Sequence, residues 1–176
     1  MQQSSSAAAR RLVVMRHAKA EPTAPSDHGR ALTTRGRGDA AEAGRWLRAQ
    51  GITPDVALVS DALRSQQTWE EVAAGAGYDL DATLSAALYA AGPDTALDLL
   101  RETDASVSTL MVIGHNPTMA SIAELLDDGE GDTDASTRLV TRGLPTSALA
   151  VFTLPGAWTE LEPGAGRLEL FHVGDG

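Results

Sequence analysis

The sequence predicts an α/β domain of three layers, α/β/α, built on a mainly parallel central sheet with an antiparallel C-terminal edge. Three observations predict it. Apolar, β-branched runs recur at Leu12–Met15, Val56–Val59 and Val107–Ile113, each dense enough for a strand covered on both faces. Alanine-rich stretches of helical period follow the runs, which is the alternation of a parallel sheet with crossover helices. After residue 147 the alternation stops, and two strand-like runs face each other across a Pro/Gly-rich turn.

In chain order, Leu12-Val13-Val14-Met15 is the first strand. Thr33 or Thr34 caps a helix running to about Gln50, with Ala40, Ala43, Trp46 and Leu47 at helical spacing and Gly51 ending it. Val56–Ser60 is the second strand, and from Asp61 a helix carries Leu63, Thr68 and Val72. Gly92-Pro93-Asp94 opens a helix through Leu97 and Leu100. Val107–Ile113 is the third strong strand, followed by a helix to about Leu126 with Asn116 as its N-cap and Pro117 in its first turn. Ser147–Leu154 and Arg167–Val173 form the antiparallel edge pair.

At 176 residues, the length fits one domain with a sizeable core. Residues 1–9 are expected to be a disordered tail and 10–176 a single domain. Met1–Ala9 is polar and small, with no basic region followed by an apolar stretch. The longest nearby apolar run is only Leu12–Met15, and no apolar run approaches the roughly 20 residues of a membrane span. A cytoplasmic location with no membrane partner is therefore expected. Five acidic residues and two glycines crowd Asp127–Asp134, so 127–137 is expected to be a mobile acidic loop. It fails as a calcium loop, because Thr133 and Leu139 stand where the pattern requires glycine and a bidentate glutamate.

Composition excludes several functions. Without cysteine there is no disulfide framework, thiol nucleophile or cysteine-bound zinc. A net charge of −10 speaks against a nucleic-acid partner. Lys19 is the single lysine among 14 basic residues, which reads first as genome composition, although arginine forks for oxyanions would look the same.

In open α/β sheets the ligand crevice lies beyond the carboxyl ends of the strands. Arg16 and His17 follow the first strand. Ser60 follows the second, with Arg64 one helical turn on and leaning back toward the strand ends. Gly114 and His115 follow the third, at the start of a helix, itself a ready anion site. Each piece alone has an ordinary structural explanation. Together, two histidines and two arginines on one edge of an acidic chain point to a phosphate site. No nucleophile elbow, Walker loop or Gly-x-Gly-x-x-Gly is present, and the histidines lack metal-ligand spacing, so neither metal nor cofactor is expected. A neutral imidazole can attack phosphorus while arginines balance the equatorial oxygens.

Four segments carry a family resemblance: Val14-Met15-Arg16-His17-Ala18-Lys19, Asp27–Gly36, Ser60–Thr68 as Ser-x-x-x-Arg-x-x-x-Thr, and Val112-Ile113-Gly114-His115-Asn116-Pro117. In this order the chain resembles the histidine phosphatase superfamily, which includes phosphoglycerate mutase, and within it the SixA-type phosphohistidine phosphatases. The resemblance implies that His17 is the nucleophile and that Arg16, Arg64 and His115 hold the phosphate, with Arg30 a fourth contact. Ala18 stands where the family usually has glycine, a change that occurs in the SixA-type branch. The mutase branch carries a glutamate proton donor before the second histidine motif, but Leu84–Tyr89 offers no carboxylate here. Asp27 is the candidate donor, with pairing to Arg30 an equally good reading.

A missing acid favours a phosphorylated imidazole, whose conjugate acid has a pKa of about 6.5, over an alkoxide leaving group. The short chain also leaves few residues for lid insertions. The leading expectation is a metal-independent phosphatase acting through a phosphohistidine intermediate on protein phosphohistidine. The alternatives are a small-molecule phosphomonoesterase or mutase-like enzyme, and a phosphopeptide-binding module without turnover. Ser60 is assigned to capping rather than phosphate, His28 and His172 to the surface or an edge, and Trp46, Trp69 and Trp158 to packing.

Overall fold

A computed structural model describes residues 9–175. The expected tail therefore lies outside the described residues but for Ala9, which is exposed and belongs to no element. Six strands form one sheet: β1 (Arg10–Arg16), β2 (Val56–Ser60), β3 (Thr83–Ser85), β4 (Thr109–Gly114), β5 (Ala148–Leu154) and β6 (Arg167–Val173). Their spatial order is β3-β2-β4-β1-β5-β6, and the first four in that row run parallel. β5 returns antiparallel to β1, and β6 antiparallel to β5.

Strand alternation sorts the core into two layers. Val13, Met15, Val59 and Ile113 face α1 (Thr34–Ala49) and α2 (Leu63–Ala76), where they meet Ala43, Leu47, Trp69 and Val72. Leu12, Val14, Val112 and Phe152 face the other way, onto α4 (Pro93–Arg101), α5 (Thr118–Leu126) and α6 (Thr133–Arg142), and onto Trp158 in a single 3-10 turn. α3 (Ala86–Tyr89) is one turn that follows β3 at the carboxyl edge.

α1 and α2 pack backbone to backbone. A Cβ on Gly44 would lie 2.1 Å from the Val72 carbonyl oxygen, and one on Gly75 would lie 2.2 Å from that of Ala41. Glycine is required at both positions by the close approach, whatever its low helix propensity. Thr33 caps α1 as expected, its hydroxyl accepting the Gly36 N–H at 2.9 Å.

Three local expectations are corrected. The acidic loop of 127–137 is shorter, because α6 starts at Thr133. Asp132 caps that helix by accepting the Ala135 N–H at 2.8 Å, and Asp134 sits in its first turn, where carboxylates complement the helix dipole. The segment before it is tied down: Asp127 accepts from the Ser136 hydroxyl at 2.8 Å, and Asp128 N–H donates to the Gly166 carbonyl at 2.8 Å. The N-cap of α5 is Pro117 rather than Asn116, whose Oδ1 still accepts the Ala120 N–H at 3.2 Å. At α2 the N-cap is Ala62 rather than Ser60, whose Oγ accepts the Ala62 N–H at 3.3 Å ahead of the helix.

Candidate active site

β1 and β4 are adjacent and parallel, so the residues that leave their carboxyl ends emerge side by side. The His17 N–H donates to the Gly114 carbonyl at 3.0 Å, and the His17 and His115 ring centroids stand 5.2 Å apart. From α2, Thr68 accepts the Ala18 N–H at 3.0 Å and donates to the Arg64 carbonyl at 2.7 Å, locking the turn after His17 to the helix that carries Arg64. Ala18 is fully buried, so its methyl group packs into the core.

His17 Nδ1 lies 2.7 Å from the Ala18 carbonyl oxygen. A carbonyl can only accept, so this nitrogen carries the hydrogen and Nε2 keeps its lone pair. His115 Nε2 meets the Ser60 hydroxyl at 2.7 Å; Ser60 positions the second histidine, a role its assignment to helix capping missed. Arg16 reaches the Leu144 carbonyl at 3.4 Å, and Arg64 is buried. Three buried nitrogens, Arg16 Nε, Arg64 Nε and His115 Nδ1, have no hydrogen-bond partner. The two guanidinium N–H groups are buried donors without acceptors, which is costly, and an oxyanion among them would satisfy them. Among the described residues, no group of three or more His, Asp or Glu is placed to hold a metal.

Arg30 joins the cluster through Asp27, whose carboxylate accepts from Arg30 Nε at 3.0 Å, from Arg64 Nη2 at 3.1 Å and from the Tyr89 hydroxyl at 2.5 Å. Tyr89, which the sequence reading passed over, stands edge-on to His115 at 5.5 Å and to His28 at 4.9 Å. His28 in turn pairs with Asp61 at 2.9 Å, on the rim of the site. The available signal was positional: Tyr89 follows β3, a parallel neighbour of β2, and so shares the same edge.

The model of the histidine phosphatase superfamily (branch 1) matches residues 12–89. The phosphohistidine phosphatase SixA of Escherichia coli (strain K12) is 31% identical over 119 residues, covering 66% of this chain and 74% of that protein. A solved structure assigned as SixA from Nakamurella multipartitia superposes with a TM-score of 0.76 at 32% identity, covering 95% of this chain and 97% of that one. Another, from Agrobacterium tumefaciens, gives 0.77 at 30% identity, with 93% and 97% covered. The chain belongs to the histidine phosphatase superfamily.

In this histidine phosphatase, burial is the main reason that the His17 pKa falls to about 3; His115 when protonated, Arg64 and Arg16 push the same way, against the Ala18 carbonyl. Burial, then Arg64, lowers His115 to about 4. His17 is therefore neutral at pH 7 without a separate base. The Tyr89 hydroxyl first, then Arg64 and Arg30, lower Asp27 to about 2. A carboxyl so placed is an ionised acceptor. Before substrate arrives, Asp27 is not poised as the proton donor the sequence offered.

Two measurable outcomes follow from these shifts. Both histidines titrate near 6.5 when unfolded and lower when folded, so the unfolded chain binds more protons between about pH 6.5 and 3. Their contribution to stability is complete above about pH 6.5 and is lost as pH falls through that window. Urea unfolding is expected to show a loss on the order of 2–4 kcal/mol from these groups between pH 7 and 4.5. In a His17→Gln, His115→Gln variant that acid slope should flatten; an unchanged slope refutes the assignment. Separately, Asp27 now occupies Arg64, so an incoming anion must displace a carboxylate. Asp27→Asn is expected to tighten inhibition by inorganic phosphate several-fold, and weaker inhibition would show that Asp27 instead holds Arg64 in place.

Proposed function

We propose that this phosphatase hydrolyses phosphohistidine on a protein through a covalent phosphohistidine at His17. The observation that carries the reading is the free Nε2 of His17, fixed by the Ala18 carbonyl and set beside the unpartnered nitrogens of Arg16, Arg64 and His115. Arg16, Arg64 and His115 hold the phosphoryl oxygens, and Arg30 makes a fourth contact once Asp27 yields. Nε2 attacks phosphorus in line, and the Nε2–P bond forms as the N–P bond to the substrate imidazole breaks. The departing imidazole takes its proton from solvent. The His17 ring becomes cationic, and the Ala18 carbonyl at Nδ1–H stabilises that charge. Water then attacks phosphorus and gives up a proton, the Nε2–P bond breaks, and phosphate leaves a neutral His17.

Substrate class follows from the leaving group. An alkoxide needs a positioned acid, and the carboxylate nearest the cluster, Asp27, is held ionised. Imidazole departs with little help, which favours the N–P bond. The SixA relatives are named for the same substrate. A phosphohistidine-bearing protein domain, 3-phosphoglycerate and sugar phosphates, each incubated with the enzyme, distinguish the readings. Fast phosphate release from the phosphohistidine domain alone is expected. Turnover of the esters instead would move the enzyme to the small-molecule class and require an acid that the free site does not display.

A further inference from the structure

We infer that a basic cleft beside the phosphate cluster docks an acidic segment flanking the phosphohistidine of the substrate protein. The inference rests on the proposed substrate class. The cleft has a volume of about 560 Å³, and Lys19, Arg35, Arg138 and Arg142 line it together with Asp39 and Asp175. That gives four of the chain's 14 basic residues and only two of its 24 acidic ones. A positive concavity is the opposite of what a chain of net charge −10 presents on average.

The cleft and the catalytic cluster share a wall. Lys19 lies two residues past His17 on the same turn. Leu144, whose carbonyl accepts from Arg16 at 3.4 Å and from Asn116 at 2.7 Å, leads straight into Pro145 and Thr146, which line the cleft. Ser147 N–H then donates to the His17 carbonyl at 3.1 Å. A chain segment lying in the cleft is thus a few residues from a side chain seated over His17.

Ion pairing within the fold leaves most of these cations unmatched among the described residues. Arg35 is the second residue of α1, whose first turn carries no acid, so its charge opposes the helix dipole. Its contact with Asp39 is long, at 3.8 Å, and its side chain is 69% exposed. Among the described residues, Lys19 and Arg142 make no ion pair. Arg138 is the exception, bonded to the Phe171 carbonyl at 3.2 Å and stacked over the Phe171 ring. Arg142 lies in the last turn of α6, where its charge complements the helix dipole, but like Lys19 and Arg35 it is exposed. All three remain accessible to a partner, and carboxylates complement them.

Two phosphohistidine peptides test this, one flanked by glutamates and one by glutamines. Wild type is expected to show a KM roughly fivefold to tenfold lower for the acidic peptide, with kcat unchanged. Arg35→Gln with Arg142→Gln, both exposed, should erase that difference and leave kcat for the neutral peptide as it was. Raising salt should erase it as well. Equal KM values for the two peptides in wild type overturn the inference, as does a double variant that keeps the preference. If neither peptide releases phosphate, the proposed function has failed, and the cleft is read by fluorescence anisotropy with the unphosphorylated acidic peptide. Binding by wild type that the double variant loses then supports docking, and no binding overturns it.

Discussion

His17→Asn is expected to lower kcat by roughly four to six orders of magnitude and to abolish the acid-labile phosphoenzyme. Asparagine keeps a side-chain N–H to offer the Ala18 carbonyl, so the turn has no reason to rearrange. What disappears is the lone pair at Nε2. The groups around it, Arg16, Arg64 and His115, are untouched, so inorganic phosphate is expected to bind within about threefold of wild type by calorimetry. That pairing separates chemistry from binding. A variant that retains more than about one per cent of wild-type kcat would show that water attacks the substrate directly, and the covalent route would be wrong.

Gly44→Ala and Gly75→Ala should produce the largest loss of stability for the smallest chemical change. In an open helix, glycine to alanine gains up to about 1 kcal/mol. Here the added methyl would have to sit 2.1 Å or 2.2 Å from a carbonyl oxygen of the facing helix, and neither backbone can swing aside as a side chain could. The helices must separate, at an expected cost of about 2–4 kcal/mol each. For a chain of this length that lowers Tm by roughly 2–4 °C per kcal/mol. Gly92→Ala, where nothing lies within 4 Å, is the control and should change stability by less than about 1 kcal/mol. Equal effects at Gly44 and Gly92 would mean that the helix crossing relaxes freely.

The elements legible in the sequence share one property: their burial is written locally. β1, β4 and β5 each carry an unbroken buried apolar run because both faces are covered there, and Thr33 and Gly92-Pro93 mark helix starts with their own chemistry. α6 was not legible, because Ala135 and Leu139 are its buried residues and its acidic start reads equally well as a loop. β3 is three residues long, with Leu84 exposed, so no periodicity could develop. At the site, the convergence of Arg16, His17, Arg64 and His115 was legible because Arg16 ends one strong strand, His17 and His115 directly follow strong strands, and Arg64 lies one helical turn past another. Tyr89 and Ser60 were not, since their roles rest on Asp27 and His115, partners far away in the chain. A hydroxyl after a strand looks like a cap until the fold supplies a histidine.

The strand order bears on when this enzyme becomes an enzyme. β1 is made well before β5, one of its two neighbours, and the carbonyl of His17 is held by Ser147. During synthesis, the turn after His17 must wait for the chain as far as Ser147 before its last backbone tether exists. A ribosome-bound fragment ending before residue 147 has every residue of the phosphate cluster and lacks that tether. The backbone support of that turn is therefore complete only once the C-terminal hairpin has been made.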